Sequence, residues 1–165
     1  MLGVVSDLPP CGIYRTLRAI DTIEAGRLVY FHNHGDPGPG LYLPDTWSHN
    51  RARFSSRGMT VPANFDPKAI ESLRSEGFYR VTGEFYCCDK KCKQFETDML
   101  VQLGYNGAAD ALVFLPEVGG GGVHLPDRGS LVDAKQLRNL APLKVAERGG
   151  DQKMDLSLPR GMIVH

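Results

Sequence analysis

The chain has no net charge: Lys and Arg together number 19, and so do Asp and Glu. Without a global field it has no general attraction to polyanions, so composition gives no reason to expect nucleic-acid binding. Long apolar runs are missing too. No stretch reaches the roughly 20 residues that a membrane helix needs. The opening MLGVVSDLPP has neither a basic lead nor a long apolar centre, which leads us to expect a soluble, cytoplasmic protein with no membrane contact. Cysteine is sparse, 4 in 165 residues, and Cys87, Cys88 and Cys92 crowd together instead of spreading as a disulfide framework. Reduced thiols or a bound metal are the expectation. Also absent are a sharp glycine elbow around a serine or cysteine, and a Lys-Ser/Thr pair after the glycines at 119–122. These absences lean away from an enzyme, because nucleophilic and phosphate-loop chemistry each need those groups.

What is present is a pattern written twice. Residues 12–44 reappear at 77–116 once the cysteine segment 87–93 is set aside, with Gly12/Gly77, Tyr14/Tyr79, Arg15/Arg80, Glu24/Glu96, Leu28/Leu100, Val29/Val101, Gly35/Gly107, Leu43/Leu115 and Pro44/Pro116 matched. Self-similarity of this kind sets an architecture before it says anything of function. The expected fold class is α+β, mainly β: an internally duplicated unit of β-meander plus short helix, in two lobes related by a pseudo-twofold. Lobes of about 65 residues are marginal alone, so they are expected to share one core. The domain reading is one domain over 1–165, with repeats at about 12–76 and 77–141 and a closing tail at 142–165 that ends in a strand at 162–164.

Within each repeat, apolar alternation and turn residues give three strands, and a fourth comes next and stops at proline, Gly58 to Pro62 in one copy and Gly122 to Pro126 in the other. A helix is then expected in both. Asp66 is placed to cap the first, with Pro67 opening it and Phe65 stapling to Ile70; Asp133 caps the second, with Gln136 completing a capping box and Val132 stapling to Leu137. The predicted core faces are Ala69, Ile70 and Leu73, then Leu137 and Leu140.

The two copies differ most at a histidine loop in the first and the cysteine segment in the second. His32 and His34 are two apart, and Asp36 follows at the same spacing. An extended strand would place all three on one face, where two imidazoles and a carboxylate suit zinc with a position left for water. This His-x-His-x-Asp resembles the opening of the metallo-β-lactamase motif. The resemblance covers those three residues alone; Pro37 stands where that family has its next histidine, and the chain is short for its four-layer fold. Family membership is therefore not inferred. Cys87, Cys88 and Cys92 offer three thiols, and zinc would need a fourth ligand from His32, His34, Cys11 or His124. A pseudo-twofold perpendicular to the strands would bring the cysteine loop to the His32 end. Lys90, Lys91 and Lys93 favour thiolates, so oxidation is an alternative to metal.

Segment 47–57 holds Trp47, Arg51, Arg53, Phe54 and Arg57, an aromatic and arginine mix able to stack bases. The plainer reading is a long connection with Trp47 and Phe54 in the core and arginines outside. Three functions are ranked. First is a non-enzymatic module that binds another protein or assembles, with no cofactor required. Second is a zinc protein, structural at 87–93 or hydrolytic at His32, His34 and Asp36. Third is nucleic-acid binding through 47–57.

Overall fold

Short strands separated by Gly, Pro and Asp turns dominate the computed structural model, which describes residues 7–146. The first half runs β1 (Gly12–Thr16), β2 (Leu28–His32), β3 (Gly40–Tyr42), β4 (Pro44–Ser48), β5 (Arg51–Phe54), β6 (Met59–Thr60), a 3-10 turn at Pro67–Ala69, and β7 (Ile70–Ser72). The second half continues with β8 (Gly77–Val81), β9 (Phe85–Tyr86), β10 (Gln94–Phe95), β11 (Leu100–Tyr105), β12 (Ala111–Phe114), β13 (Glu117–Gly119) and β14 (Gly122–His124). It ends with β15 (Ser130–Val132), a second 3-10 turn at Ala134–Asn139, and β16 (Leu140–Pro142). The expected strand at 162–164 lies outside the described residues. The mainly β reading holds, and no helix among the described residues is long and apolar enough to cross a membrane.

Two antiparallel five-stranded sheets carry the fold, in the orders β6-β3-β2-β1-β7 and β15-β12-β11-β8-β16. Their registers run in parallel. Tyr14 faces Val29, Phe31 faces Leu41 and Thr16 faces Ile70 in one; Tyr79 faces Val101, Leu103 faces Val113 and Val81 faces Leu140 in the other. The Tyr14 hydroxyl donates to the Pro10 carbonyl at 2.7 Å, and that of Tyr79 to the Ser75 carbonyl at 2.6 Å. A Cβ on Gly58 would stand 2.4 Å from the Tyr42 ring, and one on Gly129 would stand 2.9 Å from the Phe114 ring. The sheet strand corresponding to β6 is therefore β15. That corrects the expected match at Gly122 to Pro126, which instead forms the exposed hairpin β13–β14.

Both expected helices are short 3-10 helices, of three and six residues, and the strands immediately after them are the reason. Ile70 and Leu140 pair at once with β1 and β8 as sheet-edge strands, so each chain segment leaves the helical path there. Asp66 caps as expected, its carboxylate accepting the Lys68 N–H at 3.0 Å. Asp133 makes no side-chain cap, and Gln136 accepts from the Asn139 amide instead of closing a capping box.

The interior divides into two apolar clusters. One belongs to the first sheet, around Tyr14, Val29, Phe31, Leu41 and Ile70. The larger fills the second sheet, around Tyr79, Val81, Val101, Leu103 and Val113, and takes in Leu28, Tyr30, Ala52 and Phe54 from the first half. Alternate residues of β2 thus serve different clusters, and all five are buried. A strand covered on both faces has no polar side to offer, which is why it reads as a continuous apolar run.

The long connection expected at 47–57 is mostly a hairpin, β4–β5. Its tip uses His49 and Asn50 at φ 51 and 65, the left-handed pair that tight two-residue hairpins require. The tip seats on the second sheet. Asn50 donates to the Gln102 amide oxygen at 3.0 Å and the Pro126 carbonyl at 2.8 Å, while Gln102 donates to the His49 carbonyl at 2.9 Å. Gln102 is buried yet satisfied at both ends. Gly104 lets the backbones approach, since a Cβ there would lie 2.5 Å from the Asn50 carbonyl oxygen. Arg74 also links the two halves of the chain, donating to the Leu137 and Leu140 carbonyls and lying over the Tyr79 ring at 4.9 Å.

Candidate metal centre

In β1 and β2, Gly12 stands opposite Phe31, so one step further along this antiparallel pair Cys11 meets His32. The distances bear this out. Cys11 Sγ lies 3.5 Å from His32 Nδ1 and 3.8 Å from His34 Nδ1, and the two imidazole centroids are 4.1 Å apart. Cys11, His32 and His34 have donor atoms within 4.8 Å of one another, and among the described residues this is the group of His, Cys, Asp and Glu that meets that distance.

The surroundings prepare these atoms to bind. Asn33 N–H donates to Cys11 Sγ at 3.3 Å, and the Asn33 amide donates to the Pro9 carbonyl at 3.2 Å, which fixes its orientation. Asn33 Oδ1 accepts from the Cys11 thiol at 3.2 Å and lies 2.7 Å from His34 Nδ1. It therefore holds the thiol proton that a metal would displace. Burial, with His34 close by as a second contribution, holds the His32 pKa below the ordinary imidazole value. A ring kept neutral is a ready ligand. His32 is 9% exposed and His34 is exposed, so the group opens to solvent on one side.

The depressed His32 pKa also sets a pH dependence. Between its folded value and about 6.5, the unfolded chain binds more protons than the folded one, so stability falls as pH drops through that window and is unaffected above it. Urea midpoints measured from pH 8 to pH 5 should decline below about 6.5. His32→Gln, which cannot protonate, should flatten that part of the decline; an equal decline in the variant would contradict this origin.

No protein-family model matches the chain, and neither a curated protein nor a solved structure matches it. The site therefore rests on its own geometry.

The residues marked out in the sequence separate in space. His32 and His34 come together as expected. Asp36 is exposed and lies outside the donor group, because β2 ends at His32 and the chain turns before residue 36. The third donor is Cys11, weighed in the sequence only as a ligand for the other cluster. Cys87, Cys88 and Cys92 stay with one another: Cys88 Sγ is 3.6 Å from Cys87 Sγ and 4.0 Å from Cys92 Sγ, and none of the three joins the histidines. His124 is exposed on β14. Asn33 carried no sequence signal beyond lying between two histidines.

Trp47 corrects the expectation that it would be folded away: it is 43% exposed, with its indole N–H donating to the Tyr105 carbonyl at 2.8 Å. Phe54 is buried against Tyr30. Trp47 pairs across the hairpin with Ala52 and so shares its face, while Arg51 and Arg53 alternate to the other. Aromatics and arginines do not interleave on one surface as base stacking would need. A separate cleft of about 540 Å³ is lined by Arg15, Glu71, Arg74, Tyr105, Lys135 and Arg138. Its cations largely serve the fold: Arg15 bonds the Ala109 carbonyl and lies 3.6 Å from Glu71, Arg74 holds main-chain carbonyls, and Lys135 pairs with Asp89 at 3.5 Å.

Proposed function

We propose that this protein binds zinc through Cys11, His32 and His34, with the fourth coordination position left to water or to a ligand from a partner. A tetrahedral zinc with Zn–S of about 2.3 Å and Zn–N of about 2.0–2.1 Å places sulfur and nitrogen about 3.6 Å apart. The observed Sγ–Nδ1 separations of 3.5 and 3.8 Å are the observation that carries the reading. One thiolate and two imidazoles suit zinc, and also copper, better than the hard cations magnesium or calcium. Three protein ligands with an open position are the pattern in which zinc acidifies a bound water. Full-length chain equilibrated with zinc and dialysed at pH 7.5 should retain one equivalent, and a parallel copper arm distinguishes the two ions. Retention of neither would remove the proposal.

The same reading takes the two sheets as copies of one ancestral unit, related by a pseudo-twofold. Support comes from their common strand order and register, the paired tyrosine hydroxyls, and the paired glycines under Tyr42 and Phe114. Only the first copy carries the histidine pair. Four free cysteines suit a reducing, cytoplasmic setting.

A protein-binding module is the second reading, favoured by the hairpin β13–β14. Every residue of its two strands is exposed, and its cross-strand pair Val118 and Val123 are 86% and 66% exposed. Cross-links from a captured partner mapping to residues 117–124 would favour it.

A further inference from the structure

We propose that loop 87–93 is a hydroperoxide-responsive thiol pair, in which Cys88 is the attacking sulfur and Cys92 the resolving one. The loop closes the hairpin of β9 and β10. Cys87 N–H donates to the Lys93 carbonyl at 2.9 Å, and Lys91 N–H donates to the Cys88 carbonyl at 2.9 Å, folding residues 88–91 into a turn. The turn brings Cys92 Sγ to 4.0 Å from Cys88 Sγ, while Cys87 Sγ sits 3.6 Å away on the other side.

Access is graded across the three thiols. Cys87 is 4% exposed, Cys88 is half-buried and Cys92 is exposed. A small oxidant reaches Cys88 and Cys92 but not Cys87. Charge is graded as well. The backbone N–H of Cys92 points at Cys88 Sγ, with the Cys87 thiol and the Lys90 N–H adding to it, and these donors hold the Cys88 pKa below the ordinary thiol value. Cys92 is pushed the other way, chiefly by its contact with Cys88. Cys88 therefore ionises first, and the thiolate is the nucleophile.

The bond geometry selects the partner. Neighbouring α-carbons across a trans peptide are about 3.8 Å apart, below the roughly 4.4–6.8 Å that disulfides span. Cys87 and Cys88 are therefore poorly placed to bond each other, whereas Cys88 and Cys92 face across a turn whose residues 89–93 are exposed. In the first step the Cys88 thiolate attacks the peroxide: an S–O bond forms, the O–O bond breaks, and the departing alkoxide or hydroxide takes a proton and leaves as alcohol or water. In the second, the Cys92 sulfur attacks that of Cys88: the S–S bond forms, the S–O bond breaks, and hydroxide leaves as water with the proton from Cys92. Two thiols lose two electrons and the peroxide gains them.

The site is independent of Cys11, His32 and His34, and the experiment keeps them apart. Reduced full-length chain is treated with hydrogen peroxide, alkylated and digested with trypsin. Cleavage after Lys90 and Lys91 separates the two sulfurs, so a Cys88–Cys92 disulfide appears as two linked peptides while Cys87 and Cys11 remain alkylated. Cys92→Ser should stop at a sulfenic acid on Cys88 that dimedone traps. Cys88→Ser should slow thiol loss from the loop at least about tenfold, since Cys92 is less ionised and Cys87 less exposed. The proposal is overturned if Cys88 and Cys92 stay alkylatable, if they stay protected because they hold a metal, if Cys11 or Cys92 oxidises first, or if Cys88→Ser loses thiols at the original rate.

Discussion

Cys11→Ala is expected to lower zinc affinity by at least about 100-fold, while Asp36→Ala leaves it unchanged. Loss of a residue that merely orients a ligand costs about 10–100-fold in metal affinity, so loss of the sulfur ligand itself should reach or pass the upper end. At 25 °C a factor of 100 corresponds to about 2.7 kcal/mol. Cys11 supplies the single sulfur of the group, and the Asn33 N–H holds that sulfur in place. Asp36 lies outside the group. Stability offers a second readout, since a ligand at about 100 times its Kd raises unfolding free energy by about 2.7 kcal/mol. Zinc should therefore raise the urea midpoint of the unmodified chain and of Asp36→Ala, and leave that of Cys11→Ala where it was. Equal zinc affinity in Cys11→Ala, or its loss in Asp36→Ala, would move the site back to the His-x-His-x-Asp reading.

The largest effect on folding is expected from Phe31→Ala. Phe31 is fully buried on β2, stacked on Phe65 with centroids 5.8 Å apart and edge-on to Tyr14 at 6.0 Å. Removing such a ring costs about 3–5 kcal/mol through lost burial and the cavity left behind. Domains of this size have roughly 5–15 kcal/mol in all. Phe31 also immediately precedes His32, and its backbone pairing with Gly12 sets Cys11 opposite the imidazole. The variant should unfold at markedly lower urea and bind zinc more weakly even where it is still folded. A midpoint within error of the unmodified chain would mean that the first-sheet cluster contributes little to stability.

The sheets were legible in the sequence because strand alternation and turn residues are local signals. Leu28 to Phe31 and Leu100 to Leu103 read directly as compact apolar strands, and all of these residues but Leu100 are buried. Asp66-Pro67 and Asp133 carry real start signals for longer helices, and nothing local says that Ile70 and Leu140 will pair with β1 and β8 so soon after them. That choice is made by tertiary pairing, which overrides propensity. The histidine pair was visible from its spacing alone. Cys11 was not, since it becomes a neighbour of His32 only through the register of β1 on β2, between positions far apart in the chain. Asp36 was overread for the complementary reason: the spacing rule holds on a strand, and the strand ends at His32. An aromatic at position 47 reads as interior, whereas the Trp47 N–H finds the Tyr105 carbonyl in the other half of the chain and leaves much of the side chain in water.

X-ray absorption at the zinc edge of the loaded full-length protein measures the ligand shell itself. The account predicts one sulfur at about 2.3 Å and two imidazole nitrogens at about 2.0–2.1 Å, with a further light atom completing four-coordination. A shell of three sulfurs would place the metal on Cys87, Cys88 and Cys92, and a shell without sulfur would exclude Cys11; either result contradicts it.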